Sequence, residues 1–390
     1  MNAKIIAIAV VAIVAVGGIG AAVALGFSND DAKITIVDGS GKTIKLDSAL
    51  ENVAVINKNV PRVMMMYGVE TTISCFYWGT SSVDEFKSIE DRATNLGTYY
   101  TPSVETLLQK KVQAVICPVS SMTLYASYQK SCEDVGITVI RLDCNGSTMF
   151  DDMKKMSKIF GEPEKATAKI SEYETNYNKI IDAINAKIDS TSATKPDFMF
   201  AGAGQLYGVY NTSSAASSNF EQVFGKNITS YTDLSTKGVT NSFDSTNTIE
   251  VIQEVQDKVQ LLVVRPGASD VAISAYDTAY GKIVKGDGSK PLTQSATAVK
   301  NDKAFVMNSN ICSGLFMPIG LLMLSEEIYG DISVELSFGD TTKTYTGLSE
   351  ITTLINDFQE SYKQSTLKPG NVILAQYVHD SYSGTAVVTL

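Results

Sequence analysis

The side chains that most often carry chemistry are scarce in this chain. It has a single histidine, His379, and five cysteines, Cys75, Cys117, Cys132, Cys144 and Cys312. The cysteines are far apart, form no Cys-x-x-Cys pair and have no histidine nearby, so they lack the spacing of a zinc site. Their odd number leaves at least one thiol unpaired within the chain, and they read best as small buried hydrophobes. There is no Gly-x-Ser-x-Gly elbow and no phosphate-cradling loop. Ala201-Gly-Ala-Gly-Gln-Leu-Tyr-Gly has glycines after a strand, but Asn211-Thr-Ser-Ser follows instead of a helix. It fits a ligand-facing turn better than a dinucleotide site. No catalytic residue, metal ligand or cofactor is expected.

What remains is a set of aromatic residues and one arginine at the ends of apolar runs. In the first half these are Tyr77 and Trp78, the only tryptophan, with Tyr99 and Tyr100. In the second half they are Tyr207, Tyr210, Arg265 and Phe316. In open α/β sheets, ligands bind beyond the carboxyl ends of the strands. Aromatics with a few converging polar groups there suit a bulky planar or amphipathic ligand. Arg265, one of four arginines, has the fork that grips a carboxylate or phosphate, although a salt bridge at a lobe rim would use it equally well.

The elements that must position these residues follow from length and pattern. A chain of 390 residues suits two domains plus a terminal segment. A formal net charge of −10 argues against non-specific nucleic-acid binding, which needs a basic face. Lys4 is followed by an uncharged run from Ile5 to Phe27, close to the ~20 residues that cross a bilayer core. Residues 1–28 therefore read as an uncleaved membrane anchor or as a long signal cleaved near Ala22-Val-Ala, and either places the body outside the cytoplasm. No cysteine ends the run, so a lipidated-cysteine anchor is not expected. Asn145-Gly-Ser, Asn211-Thr-Ser and Asn227-Ile-Thr fit the glycosylation acceptor pattern, which agrees with an external location.

Residues 33–46 alternate around Asp38-Gly-Ser-Gly, as a hairpin does. Up to residue 150, short apolar runs (Val53-Ala-Val-Ile, Thr72-Ile-Ser-Cys-Phe, Gln113-Ala-Val-Ile-Cys, Ile137-Thr-Val-Ile) alternate with helical patterns, the signature of parallel βαβ units. Residues 151–195 break the rhythm. Ile170, Tyr173, Tyr177, Ile180, Ile184 and Ile188 recur at helical spacing with no strand between them, and predict one long helix over about 165–190. Alternation resumes over 196–365, and 366–390 is left as an apolar, β-prone tail. The expected architecture is two α/β Rossmann-like lobes joined by a single long helix, with a ligand cleft between them and an N-terminal transmembrane helix.

One pattern occurs twice. Ser103-Val-Glu-Thr-Leu-Leu-Gln-Lys-Lys-Val-Gln precedes one buried strand, and Thr248-Ile-Glu-Val-Ile-Gln-Glu-Val-Gln-Asp-Lys-Val-Gln precedes another. Both run from a cap, through a glutamate at the same offset and an amphipathic helix, to Lys-Val-Gln and the strand. Two related lobes account for this.

Together these segments resemble a known family. Lys33 to Asn57, Asn95-Leu-Gly, Pro102-Ser-Val-Glu-Thr-Leu-Leu and Asp134-Val-Gly-Ile-Thr-Val-Ile are similar to stretches of the substrate-binding proteins of iron-siderophore, haem and cobalamin ABC importers. So are Ala298-Val-Lys-Asn-Asp-Lys-Ala-Phe-Val-Met and Met317-Pro-Ile-Gly-Leu-Leu-Met-Leu. The resemblance spans about residues 33–363. It implies a binding module, not an enzyme, that captures an iron chelate, haem or a corrinoid-type metal complex and delivers it to a permease and its ATPase. It also implies that Glu105 and Glu250 sit at the lobe tips and pair with permease arginines. The bland reading is that both merely complement a helix dipole. The competing function is a surface adhesion or structural protein built on the same two lobes. Tyrosines can ligate iron, but a ferric site usually draws on His or carboxylates as well, and His is lacking.

Overall fold

The computed structural model describes residues 33–77, 84–97, 102–119, 122–202, 208–210, 215–231, 254–267, 270–284, 296–378, 381 and 383–390. The first strands are the expected hairpin, β1 (Ile34–Val37) and β2 (Thr43–Leu46), paired antiparallel. Asp38 makes its turn: one carboxylate oxygen accepts the Ser40 and Lys42 amides, and the other accepts the Arg141 amide.

A five-stranded, wholly parallel sheet follows. It is built from β3 (Val53–Val55), β4 (Ile73–Phe76), β5 (Thr94–Asn95), β6 (Ala114–Cys117) and β7 (Thr138–Arg141), in the order β5-β4-β3-β6-β7. The central strands β3 and β6 are buried along their whole length, as a parallel sheet covered on both faces requires. Their crossovers include α1 (Asn59–Tyr67), α2 (Val104–Gln109) and α3 (Met122–Glu133). Gly68, at φ 76°, ends α1 in the left-handed conformation that glycine adopts without strain.

After α4 (Met149–Ile159) comes α5 (Glu164–Thr191), an unbroken helix of 28 residues, about 40 Å long at 1.5 Å per residue. Its Ile170, Tyr173, Tyr177, Ile180, Ile184 and Ile188 are buried, and it packs on α1 and α4 as well as on elements of the second lobe. Tyr173 donates to the Leu315 carbonyl at 3.0 Å. Asn176 uses its amide as a strand would, donating to the Ser337 carbonyl and accepting the Ser337 amide. The spine is thereby tied to the edge of a separate hairpin, β12 (Ser333–Phe338) with β13 (Thr341–Thr346).

The second sheet contains β8 (Phe198–Gly202), β9 (Gly208–Val209), β10 (Leu261–Arg265), β11 (Ala304–Met307), β14 (Val372–Tyr377) and β15 (Thr385–Thr389). Its order is β15-β14-β11-β10-β8-β9. Strands β8, β10 and β11 are parallel, and the others are antiparallel to their neighbours. Helices α6 (Ile273–Val284), α7 (Met317–Tyr329) and α8 (Ile351–Ser361) belong to this half. Residues 366–390 are thus not a tail apart from the lobe. Strand β14 pairs with β11 and carries the sheet two strands further, because the open edge of β11 offers unpaired backbone groups to an apolar strand. All described strands of the first sheet precede α5, and all those of the second follow it.

The sequence repeat has a structural meaning. At the start of β6, Gln113 donates its backbone N–H to the Asn52 carbonyl at 2.9 Å and accepts the Asn52 amide on its side chain at 2.9 Å. At the start of β10, Gln260 does the same with Asp197, at 2.9 and 3.0 Å. Asn52 and Asp197 each precede the neighbouring parallel strand, so each glutamine stitches a strand pair at its entry. Val112 and Val259, one residue earlier, are both buried. Gln260→Ala, which loses one amide partner, and Gln113→Ala, which loses the Glu51 and Asn52 amides, are each expected to cost about 0.5–1 kcal/mol in urea unfolding, the net worth of exposed hydrogen bonds. Unchanged midpoints for both would refute the stitching role.

Candidate functional site

The carboxyl ends of the first sheet are cross-linked by side chains. Asn57, after β3, donates to the Leu142 and Asp143 carbonyls at 3.1 Å each and accepts the Asn59 amide at 2.8 Å. Asp143, after β7, accepts the Val119 amide at 3.0 Å. Burial raises its carboxyl above the usual range. Asp152 reaches back from α4 to accept the Asp143 and Cys144 amides and the Thr148 hydroxyl, which holds Cys144 at φ 47° in a left-handed turn.

This polar floor meets the second lobe through the loop after β11. Asn145 accepts the Gly314 amide at 2.9 Å. Gly314 has φ +66°, and a Cβ there would stand 2.7 Å from Asn59 Oδ1, so both the backbone and the close approach require glycine. Beside it, the buried Arg62 lays its guanidinium fork on the buried Glu85, with Nε at 3.2 and 3.1 Å and Nη2 at 3.0 Å from the carboxylate oxygens. The same Nη2 donates across to Asn310 Oδ1 at 2.9 Å. Two residues beyond α8 join in: Gln364 donates to the Arg62 carbonyl, and the Thr366 hydroxyl donates to Glu85. Four hydrogen bonds therefore join the lobes at this junction, two of them at Arg62 and one at its ion-pair partner Glu85 within the first lobe.

Arg265 ends β10 and donates from Nη1 to the Tyr210 hydroxyl at 3.1 Å. Tyr210 lies against Phe200, and its carbonyl accepts from Asn227. Pro266 is tied by its carbonyl to the Ser309 hydroxyl, next to Asn310. Lys58, directly before α1 on the opposite lobe, lies in the field of both Arg62 and Arg265. Burial, then those two cations, lower its ammonium pKa more than Glu85 and Glu90 raise it. Polar groups from both lobes thus meet where Arg62 bonds Asn310 and Ser309 bonds Pro266, next to Arg265 and Tyr210, at the carboxyl ends of β3, β10 and β11.

Of the residues nominated from sequence, Tyr210 and Arg265 are in this constellation. Tyr77 is half-buried after β4 and packs against the core of the first lobe. Phe316 requires correction: it is fully buried and lies 5.0 Å, ring to ring, from Phe358 inside an aromatic core that continues to Tyr173 and Tyr362. A ligand in the cleft has no access to it. Trp78, Tyr99, Tyr100, Tyr207 and Glu250 lie outside the described residues, as do residues 1–32. Glu105 is exposed in the first turn of α2, whose cap, Ser103, accepts the Thr106 amide at 3.2 Å. Lys58 and Asn310 fall in strand ends that position alone nominates for the cleft, Asn57 to Asn59 after β3 and Asn308-Ser-Asn after β11, whereas Arg62 and Glu85 were missed.

Two acceptor-like asparagines have structural work instead. Asn227 is fully buried and donates to Ser217 and Tyr210, and Asn145 holds the lobe contact. All five cysteines are free and buried, and among the described residues no group of His, Cys, Asp and Glu is arranged to hold a metal ion. A hollow of about 600 Å³ lined by Glu221, Phe224, Lys226 and Tyr231 sits at the entry of β8, where Tyr231 meets Asp197. That is the wrong end of the sheet for a ligand in this architecture.

No family model matches the chain, and no curated protein matches it. Solved structures do. The TroA-like periplasmic binding protein FepB from Veillonella parvula aligns at TM-score 0.57 and 13% identity, covering 88% of this chain and 99% of that one. The molybdate periplasmic binding protein MolA from Haemophilus influenzae aligns at 0.56 and 15%, covering 85% and 98%. A periplasmic haem-binding protein from Pseudomonas aeruginosa aligns at 0.53 and 14%, covering 72% and 92%. The chain has the fold of the helical-backbone substrate-binding proteins of ABC importers. These neighbours are transport binding proteins rather than enzymes, and their cargoes differ, so the fold alone does not select a ligand.

Proposed function

We propose that this chain is the substrate-binding protein of an ABC importer for a metal complex, an iron-siderophore chelate, haem or a corrinoid. It works at the extracytoplasmic face of the membrane, tethered by residues 5–27 or released there after their cleavage. The observation that carries the reading is the junction itself. Two lobes on one stiff helix bring the carboxyl ends of β3, β7, β10 and β11 together, with cations and hydrogen-bonding groups from both sides. A single helical spine with cross-lobe bonds permits small lobe movements rather than a wide hinge. Tyr77, Trp78, Tyr99, Tyr100, Tyr207, Tyr210 and Arg265 line the cleft, and Glu105 and Glu250 face the permease with its ATPase.

The test is native purification followed by mass spectrometry of the retained ligand, with titrations of haem, cobalamin and ferric siderophores. Trp78 is the only tryptophan, so its fluorescence is expected to shift on binding the right complex. Trp78→Phe should lower affinity as well as remove the signal. Unchanged affinity in that variant would take Trp78 out of the cleft, and binding of no metal complex would overturn the function.

A further inference from the structure

We propose that the turn from Asp143 to Gly146 is a preset stop that fixes how closely the two lobes approach, and that Asp152 is the positioning residue that sets it. The stop belongs to the two lobes and is independent of the cargo.

The turn carries strain at its centre. Cys144 is fully buried and holds φ 47°, a left-handed conformation that is costly for a residue with a Cβ. Gly146 is left-handed as well, at φ 60°. Asn145 between them is extended, at φ −157° and ψ 155°. The change of hand on either side of one extended residue sets its side chain toward the second lobe. Asn145 Oδ1 accepts the Gly146 amide and, across the junction, the Gly314 amide, each at 2.9 Å. Backbone strain of this kind persists only where the surroundings over-determine it, and it gathers where a geometry is used.

Asp152 supplies the over-determination. One of its oxygens, Oδ2, accepts the Asp143 amide at 3.1 Å, the Cys144 amide at 3.0 Å and the Thr148 hydroxyl at 2.9 Å. The other oxygen has no hydrogen-bond partner among the described residues and lies 3.9 Å from Lys155 Nζ. A carboxylate that is 1% exposed with one oxygen unpartnered is costly in a protein interior, so its gain comes from the three donors it gathers. From the other side, Asn57 donates to the Leu142 and Asp143 carbonyls and holds the start of the turn. The surface that the turn meets is fixed as well. Leu315, the residue after Gly314, accepts the Tyr173 hydroxyl of α5 on its carbonyl at 3.0 Å. A Cβ on Gly314 would stand 2.7 Å from Asn59 Oδ1, so the two lobes are already in contact there. The first lobe, the second lobe and the spine are thereby joined within two consecutive residues. Asn145 supplies the bond and Asn59 the steric limit.

Hydrogen exchange of the full chain in detergent tests this, read by mass spectrometry with fragmentation that resolves the Gly314 amide. Asp152→Ala is expected to speed exchange at Gly314 about three- to tenfold, the net worth of one hydrogen bond, while β8, β10 and α5 exchange as before. A residue that only stabilised its own lobe would leave this amide of the other lobe unchanged. Asp152→Asn keeps an acceptor oxygen and should restore slow exchange. Asn145→Ala, which removes the acceptor itself, should match Asp152→Ala at Gly314. Gly146→Ala strains the turn from its half-buried end and should also speed exchange there, which keeps the test open if Asp152→Ala does not fold. Unchanged exchange at Gly314 in Asp152→Ala, or in Gly146→Ala where the former does not fold, would mean that the turn is not set as described. Unchanged exchange in Asn145→Ala would mean that there is no stop. Faster exchange spread evenly over β8, β10 and α5 would mark a global loss of stability and overturn the inference as well.

Discussion

Replacing Glu85 by alanine is expected to lower stability by about 3–5 kcal/mol, because it leaves the Arg62 guanidinium buried without its carboxylate. The pair is closed to solvent, with side-chain exposures of 6% for Arg62 and 0% for Glu85, so water cannot take over the lost role. The Thr366 hydroxyl loses its acceptor as well. The double variant Arg62→Met/Glu85→Leu removes the charge along with its partner, and is expected to recover most of that loss. It does not recover the bond from Arg62 to Asn310, which joins residues 248 positions apart and crosses between the lobes. Stability and lobe positioning therefore separate. Urea unfolding should show a large loss for Glu85→Ala and a small one for the double variant. Small-angle scattering should show looser lobes in both. A loss below about 1 kcal/mol for Glu85→Ala, the range of exposed pairs, would mean that the pair does not stabilise the fold as a buried one.

Changing Glu105 and Glu250 together to alanine is expected to abolish most uptake while leaving ligand affinity and fold intact. Glu105 is exposed near the N-terminus of α2, and its carboxylate accepts from Gln109, at 3.3 Å, within the same helix. Among the described residues no element outside α2 bonds that carboxylate, which leaves it available to a partner. The same offset in the repeat places Glu250 equivalently by sequence. Charge pairs desolvated in an interface are worth about 2–5 kcal/mol when one partner is truncated, far more than a helix-dipole contact of about 0.3–1 kcal/mol. An uptake assay at limiting ligand, run beside a binding assay, decides between them. Normal uptake with normal binding would leave the two glutamates as dipole partners only.

Periodicity alone was enough for the spine. A helix face of isoleucines and tyrosines over 170–188, with no strand between, has one physical solution, and α5 runs unbroken through it. The alternation of short apolar runs with amphipathic stretches specified parallel strands, because each strand buried on both faces needs a crossover helix to reach the next. The Lys-Val-Gln repeat was visible as a pattern of letters, and local chemistry explains it, since each glutamine bonds a residue one strand away.

Partner choice between distant elements was not legible, for a different reason. The apolar run of Val372 to Tyr377 marks a strand but not its neighbour, and only the open edge of β11 decided where β14 goes. Phe316 and Tyr210 are both aromatics near strand ends, and nothing local distinguishes the one sealed against Phe358 from the one that holds Arg265. Arg62, Glu85 and Asn310 are ordinary polar residues spread over some 250 positions of sequence, and Arg62 meets Asn310 only after the lobes are set on their helix. Their charge is a property of the assembled junction, because field and burial depend on distance in space, which local sequence patterns do not encode. The sequence determined the two lobes and the spine. The tertiary structure decided which few side chains face one another across them.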